Sequence, residues 1–223
     1  MFLHRHKSSD ASVNMAFDTL LFDAASEKET AALRFYDWKE QIHTCGRFQK
    51  AEDFHAILSA KTPVVARPTG GGLVFHEFSD ITYALIVPSK HNFFAIRPRD
   101  SYTAIHSEIA KVMKAFGFSP TLFESTPPQS SNPAQCFTSP SYGDIVSADF
   151  GKFAGAAQKR TKKGFLLQGS IKIKNIDKPA FRNALATSFA KLLDEEIQDS
   201  DDDFFESPQL AKRLLDFQAN FTK

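Results

Sequence analysis

Cys136 carries the most reactive side chain type in this sequence. It follows a stretch at 125–135 that is rich in Pro, Ser, Asn and Gln, and it precedes Phe137 at a predicted loop-to-strand junction. A thiolate is a strong nucleophile and can carry an acyl group by thioester exchange. The alternative is an inert, half-buried thiol, and this second interpretation is favoured for Cys45, which stands inside a strand-like run at 42–46.

Lys152 stands in a segment of small residues, GKFAGAA at 151–157, in which four of the five positions after the lysine are Ala or Gly. Such a segment packs closely against another backbone or a ligand. A lysine there either keeps its charge and binds an acyl oxygen, or loses its proton on desolvation and acts as a base. A solvated surface lysine is the alternative. The basic run at 158–163 (QKRTKK) is either a solvated loop or a contact for an acidic partner surface or a phosphate.

A glycine loop, RPTGGG at 67–72, lies between two strand-like runs. Pro68 restricts its own backbone and extends Arg67, and the glycines allow the backbone to approach a ligand closely. Their N–H groups could face an oxygen-rich group, and Arg67 adds donors for a carboxylate or phosphate. The loop lacks the endings of a P-loop and of a dinucleotide-binding turn. A simple tight connection is the alternative.

The elements that must position these residues alternate irregularly between helix and strand. We predict helices over 13–25 (capped by Ser12), 52–60, 100–116 (from Asp100 to a stop at Gly117), 177–193 and 207–219, and strands over 31–36, 42–46, 64–66, 72–76, 81–87, 144–148, 152–157 and 164–174. This order predicts an α+β fold with one central mixed β-sheet flanked by helices.

Composition excludes several classes of protein. The 223 residues, 42% hydrophobic and 24% charged, predict a single domain over 1–223 with no accessory C-terminal domain. A net charge of +1 gives no field for nucleic acid. No apolar run approaches a membrane span, and residues 1–10 lack the apolar core of a signal peptide. Two cysteines without zinc spacing predict no metal site and a reducing, cytoplasmic setting. The 23 phenylalanines are core residues or line an apolar ligand slot.

Several motifs occur together in an order that resembles the biotin/lipoate protein ligase family. The resemblance covers roughly residues 12 to 190. The motifs that carry it are VNMAFD at 13–18, RFY at 34–36, Gly46 with Gln49, RPTGGG at 67–72 with His76, ITY at 81–83, CFTSPSYGDIV at 136–146 and GKFAGAAQ at 151–158.

The resemblance implies a fold similar to the catalytic domain of biotin ligases and class II aminoacyl-tRNA synthetases. It also implies that the glycine loop and the Lys152 strand enclose an acyl chain in a tunnel lined by Phe and Leu. The catalytic residues would then be Cys136 and Lys152. The implied substrate-binding residues are Gln49, Arg67, Thr69, Gly70, Gly71, Gly72, His76, Tyr83, Gly155, Ala156, Ala157, Gln168 and Gly169.

Two departures from the family pattern weaken any role in proton transfer at those positions. Ala156 stands where the family usually has Ser, which removes a hydroxyl. Gln168 stands before Gly169 where the family usually has His, and glutamine can form hydrogen bonds but cannot become cationic.

The resemblance leaves three functions open. The first is an acyltransferase without a cofactor, in which Cys136 takes an octanoyl or lipoyl group from acyl carrier protein and passes it to a lysine of a lipoyl domain or glycine-cleavage H protein. The second is a lipoate-protein ligase that needs ATP and Mg; Gly72 favours it, because the transferases often carry Arg at this place. The third is an inactive relative that binds acyl chains or lipoyl domains, which Ala156 and Gln168 would favour.

Overall fold

The computed structural model describes residues 1–54, 57–59, 61–125, 140–147 and 151–200, together with 212 and 215. Cys136 and most of the predicted helix at 207–219 lie outside these residues, although 212 and 215 are both helical. The strands are β1 (Phe2–Arg5), β2 (Ala32–Tyr36), β3 (Ile42–Cys45), β4 (Val64–Ala66), β5 (Val74–His76), β6 (Ile81–Pro88), β7 (Thr121–Leu122), β8 (Ile145–Ser147), β9 (Gly151–Thr161), β10 (Gly164–Ile171) and β11 (Gln198–Asp199). The helices are α1 (Ala11–Lys28), α2 (Pro98–Ala115) and α3 (Lys178–Leu193).

Eight of the described strands form one mixed sheet, which confirms the predicted fold class. Their order is β11-β1-β2-β6-β10-β9-β8-β7. The strands β1 and β2 are parallel, whereas β2, β6, β10, β9 and β8 pair antiparallel. The other three strands, in the order β4-β3-β5, form a smaller sheet that carries the glycine loop between β4 and β5.

The central strand β6 is buried at all eight positions, and its side chains alternate between two apolar cores. Ile81, Tyr83 and Leu85 belong to the core that includes residues of α2 and α3, while Ala84 and Ile86 belong to the core that includes residues of α1. The alternation follows from the two-residue period of a strand. The main sheet therefore has two covered faces.

Most predicted element boundaries lie within three residues of the observed ones, with two informative exceptions. The strand predicted over 152–157 extends to Thr161, because the polar residues 158–161 pair with β10 across a tight turn. The basic run is therefore largely strand, and its interpretation as a loop is wrong for 158–161. Where a helix was predicted over 52–60, the described residues show a 3-10 turn at Ala51–Phe54.

The predicted helix starts are also corrected. The helix α1 begins at Ala11 after Asp10, so Ser12 is not its cap. The helix α2 begins at Pro98, a residue preorganised for a first helical turn, and Asp100 lies within that turn. Gly117, with φ of +87°, follows the end of α2 as predicted. None of the helices in the described part of the chain combines the length and apolarity needed to cross a bilayer.

Candidate active site

Lys152 lies at the start of β9, where a bulge interrupts the pairing of β8 with β9. Its side chain is only 3% exposed, and its Nζ atom lies 2.7 Å from Asp144 Oδ2. The side chain crosses Gly155: a Cβ atom at that glycine would overlap Lys152 Cε and come within 2.6 Å of Nζ. The small-residue segment thus provides the space through which the lysine reaches the centre of the site.

Asp144 is held on both of its carboxylate oxygens. Besides Lys152, Oδ2 accepts a hydrogen bond from Ser141 N at 2.5 Å, and Oδ1 accepts one from the Tyr102 hydroxyl at 2.5 Å. The Tyr102 hydroxyl in turn accepts a hydrogen bond from Ala156 N at 3.1 Å. Burial, followed by the nearby Asp144 charge, raises the pKa of Tyr102 well above its usual value, so this hydroxyl keeps its proton. Lys152 is therefore fixed by an anchored carboxylate.

A narrow cavity of about 40 Å³ opens on the α1 side of the sheet, beside Lys152. Its lining comprises Met15, Tyr36, Trp38, Arg67, Val74, His76, Thr82, Lys152, Gly155, Ala156, Ala157, Gln168, Gly169 and Ser170. We call this cavity the slot. Arg67 of the glycine loop and Lys152 line the same slot.

The expectation of a Phe and Leu lining is wrong for the described part of the slot. Its apolar side chains are Met15, Trp38 and Val74, with Tyr36 beside them. The phenylalanines and leucines of β10 instead point into the two cores, where they are fully buried. Gly155, Ala156 and Ala157 of β9 line the slot without long side chains.

Arg67 stabilises its own loop, which corrects the expectation that its donors face a ligand. Both Nη atoms donate inside the protein: Nη1 to the carbonyl and hydroxyl of Thr44, at 2.9 and 2.7 Å, and Nη2 to the carbonyls of Gly70 and Gly72, at 3.0 and 2.8 Å. The guanidinium therefore shapes the loop from within. Gly71 has φ of +89°, a backbone conformation that favours glycine, so one of the three glycines is explained by the path of the loop.

The remaining loop residues lie behind the slot or at its edge. A Cβ at Gly46 would overlap Gly71 O, so the loop lies directly on the turn at Gly46. Gln49 Oε1 accepts a hydrogen bond from Gly46 N at 3.0 Å and so closes that turn. Within the described residues, Gln49, Thr69, Gly70, Gly71 and Gly72 do not line the slot.

Gln168 connects the glycine loop to a buried ion pair. Its Oε1 accepts from the Thr69 hydroxyl at 2.7 Å, and its Nε2 donates to Asp18 Oδ2 at 2.6 Å. Asp18 Oδ1 lies 2.6 Å from Arg34 Nη1, and both side chains are fully buried. Burial raises the pKa of Asp18, while Arg34 acts against that shift. Since one end of the amide donates and the other accepts, glutamine can fill this position without a charge.

His76 stacks on Trp38 at the wall of the slot, with ring centroids 4.2 Å apart. Its Nε2 lies 2.8 Å from the Thr44 hydroxyl, and its Nδ1 lies 3.8 Å from Asp80 Oδ2. Arg67 donates to the oxygen of the Thr44 hydroxyl, so the hydrogen of that hydroxyl can be donated to His76 Nε2. This favours the His76 tautomer that carries its hydrogen on Nδ1. Burial lowers the pKa of His76 to about 4, so the ring is neutral at pH 7.

Tyr83 lies beneath the slot, on the opposite face of the sheet. A Cβ at Gly169 would overlap the Tyr83 ring, so Gly169 must be a glycine for this packing to form. The Tyr83 hydroxyl is buried and has no hydrogen-bond partner among the described residues. Tyr83 therefore supports the floor of the slot through Gly169 and, in the described residues, does not line it.

The residues that hold the site from a distance were not predicted. They are Asp144, Tyr102, Asp18, Arg34 and, in the wall of the slot, Trp38. Three of these stood within the family motifs at 13–18, 34–36 and 136–146, which was the available signal. Tyr102 and Trp38 had none.

Of the two cysteines, only Cys45 lies among the described residues. Cys136 lies outside the described residues, and its role as nucleophile stays a prediction. Cys45 is buried, and burial raises the pKa of its thiol, which disfavours the reactive thiolate. Among the described residues, no three His, Cys, Asp or Glu side chains are grouped so that they could hold a metal ion.

Comparison with known proteins relates this arrangement to the enzymes of protein lipoylation. A family model, "Lipoyl protein ligase A/B catalytic domain", matches residues 10–203. Proteins named "Octanoyltransferase LipM" from Geobacillus kaustophilus and Carboxydothermus hydrogenoformans are 34% and 33% identical over 71% and 78% of this chain. The chain spans only 60% and 65% of the length of these two relatives.

Solved structures with the same fold are more distant in sequence. A structure of lipoate-protein ligase A bound with ATP superposes with a TM-score of 0.76 at 16% identity, covering 99% of this chain and 95% of the other. A bipartite lipoate protein ligase from Thermoplasma acidophilum, described with its E2 lipoyl domain, gives 0.71 at 14% identity, with coverage of 99% and 93%. At these identities the similarity shows the fold alone.

Proposed function

Because this chain belongs to the lipoyl protein ligase A/B catalytic domain family, we propose that it transfers an octanoyl or lipoyl group to a specific lysine of a carrier protein. The acceptor is a lipoyl domain or a glycine-cleavage H protein, and the donor is an octanoyl thioester of acyl carrier protein. The names of the relatives at about one third identity support the octanoyl group and the transferase reaction.

The observation that carries this proposal is the position of Lys152. Its ammonium lies at the wall of the slot, is almost completely buried, and is oriented by Asp144 at 2.7 Å. A preorganised cation in a site from which water is excluded stabilises the negative charge that develops on a carbonyl oxygen during acyl transfer. We assign that role to Lys152, with Arg67 shaping the glycine loop on the other side of the slot.

The transfer takes place in two balanced steps. The Cys136 thiolate attacks the donor thioester, the bond from the acyl carbon to the donor sulfur breaks, and the donor leaves as a thiol after taking up one proton. The acceptor lysine amine then attacks the acyl-enzyme, an amide forms, and the proton lost from nitrogen ends on the Cys136 sulfur. A thioester is already activated, so neither step needs a nucleotide.

An assay with two donors in parallel tests the function. One reaction contains octanoyl acyl carrier protein; the other contains lipoate, ATP and Mg, the requirements of the ligase alternative that Gly72 favours. Mass spectrometry follows the acceptor domain. We expect modification in the first reaction only. Modification in the second reaction alone would assign the chain to the ligases, and modification in neither would contradict both functions.

Replacing Cys136 by Ser tests the chemical route. When incubated with octanoyl acyl carrier protein and no acceptor, the protein without substitutions should gain the mass of one octanoyl group. Cys136→Ser should not gain it and should lose acceptor modification by about a hundredfold or more. Cys45→Ser is the matched control and should behave normally, because Cys45 is buried. Normal transfer by the Cys136→Ser variant would contradict the acyl-enzyme route.

A further inference from the structure

A second cavity meets the slot at Lys152. It has a volume of about 400 Å³, and it lies at the start of α2 on the opposite side of the lysine. Lys152 and Ala156 line both cavities. The outer part of the second cavity is lined by Arg99, Tyr142 and Arg160. The two cavities therefore share the side chain of Lys152.

Two arginines make this second cavity cationic. Arg99 is exposed, and its guanidinium lies 3.6 Å from the centre of the Tyr142 ring. Arg160 donates to the carbonyl of Phe94 and lies over the Phe94 ring at 4.5 Å. The ion pairs found in the described part of the chain include neither arginine.

The carboxylate that lines this cavity, Asp144, is already neutralised by Lys152. The surroundings of the two arginines thus favour an anionic ligand, and guanidinium groups bind phosphate with two parallel hydrogen bonds.

We propose that this second cavity binds the phosphate-bearing arm of the thioester donor, with Arg99 and Arg160 contacting the phosphate. This inference rests on the proposed function, which supplies a donor whose acyl group is carried on a pantetheine arm with a terminal phosphate. The acyl chain occupies the slot, the thioester lies at Lys152, and the arm leaves through the second cavity. One residue of the basic run at 158–163, Arg160, thereby has a role that its sequence pattern left open.

Paired donors that differ only in the phosphate test the proposal. Octanoyl phosphopantetheine and octanoyl pantetheine are each given to the full chain, and kcat/KM for acceptor modification is measured at low and high salt. The unmodified protein should prefer the phosphorylated donor by about five- to tenfold, and the preference should shrink with salt. Arg99→Ala should remove most of this preference, and Arg99→Lys should restore part of it.

Arg97→Ala is the matched control. Arg97 lies two residues before Arg99, is highly exposed and pairs with Asp100, but it does not line the cavity. It removes the same charge from the same helix start and should leave the preference for the phosphorylated donor unchanged. Equal loss of that preference in Arg97→Ala and Arg99→Ala would show a general charge effect and overturn the proposal.

The remaining outcomes separate this inference from the proposed function. Active transfer with no preference between the two donors would overturn the inference and leave the function intact. Absence of transfer from every donor would contradict the function itself. Calorimetric titration with phosphopantetheine and with ATP gives a reading that does not need activity. Binding of ATP alone, weakened by Arg99→Ala, would identify a nucleotide site and overturn the inference.

Discussion

Gly155 determines where the ammonium of Lys152 can lie. In most strand positions the absence of a side chain weakens packing, but here the missing Cβ is the space that Lys152 occupies. The same principle applies at Gly169, which leaves room for the Tyr83 ring. Gly155 on β9 therefore leaves room for the Lys152 side chain at the slot. Gly169 on β10 leaves room for the Tyr83 ring, which packs beneath the slot.

Replacing Gly155 by Ala should displace Lys152 and abolish most activity. A shift of about 1 Å in a catalytic group can cost about a hundredfold in rate, and we expect a loss of that order in kcat. Gly70→Ala is the control, because a Cβ at Gly70 meets nothing within 4 Å, and its activity should stay within about twofold. Normal turnover by a folded Gly155→Ala variant would contradict the role of Lys152.

At the scale of single residues, the sequence predicted several residues that line the slot, but not the residues with which they pair. Arg67, His76, Lys152, Gly155 and Gln168 were all predicted as site residues, and all line the slot. The pairing of Asp144 with Lys152 was not predicted, because it is made across a bulge between two strands. Contacts of this kind depend on register, which the types of the residues alone do not reveal.

The helix α1 is tied to the sheet by a buried ion pair rather than by apolar contacts alone. Arg34 on β2 donates to Asp18 and also to the backbone and side-chain oxygens of Asn14, all on the helix. Because Gln168 on β10 also donates to Asp18, one carboxylate connects a helix to two strands. The position of this wall of the slot thus depends on a single anion.

Replacing Asp18 by Asn should destabilise the protein strongly, since it leaves the buried Arg34 charge uncompensated. Loss of one partner of a buried pair costs about 3–5 kcal/mol, and urea unfolding should show a decrease of that size in the free energy of unfolding. Asp23→Asn on the same helix is the control. Asp23 pairs with the largely exposed Lys163 at 3.4 Å, and its replacement should cost under about 1 kcal/mol. Equal effects would contradict the buried-pair argument.

Helices and apolar strands were predictable from periodicity, whereas β9 was not fully predictable. Its second half, 158–161, is polar and basic, and composition alone favours a loop there. The segment becomes strand because it pairs with residues 164–167 directly after a tight turn. Backbone pairing with an adjacent buried strand outweighs a weak local preference, which is common for β-structure.

Across the whole molecule, buried neutral histidines make stability depend on pH. Burial lowers the pKa of both His76 and His106 to about 4 from 6.5. The unfolded chain therefore binds protons below about pH 6.5 that the native state does not bind until about pH 4, so stability falls with decreasing pH within this window. It should not change through these groups above about pH 7.

Urea unfolding at pH 7.5, 6.0 and 5.0 measures this effect. Each histidine contributes at most about 3 kcal/mol over the whole window, because one pKa unit corresponds to about 1.4 kcal/mol. The expected result is a decreasing free energy of unfolding, with a smaller slope in His106→Gln. A free energy of unfolding that stays constant between pH 7.5 and 5.0 would contradict the burial of neutral rings.

The order of strands in the sheet is the part of the architecture least accessible from the residues themselves. Alternation of helices and strands indicated one mixed sheet, but several orders satisfy that pattern. The resemblance to the ligase family implied a mixed sheet flanked by helices, but not the order of its strands. What could not be inferred is that β8 and β9, far from β6 in the order of the chain, place Lys152 between two cavities.

That shared lysine has a thermodynamic consequence. Any molecule that fills either cavity changes the hydration and the field around the same ammonium, so two occupants cannot bind independently. Linkage then requires reciprocity: if an acyl chain on one side strengthens the affinity for a molecule on the other by some factor, the second molecule strengthens the first by the same factor. Under the proposed function, this single amine would couple binding of the donor to binding of the acyl chain.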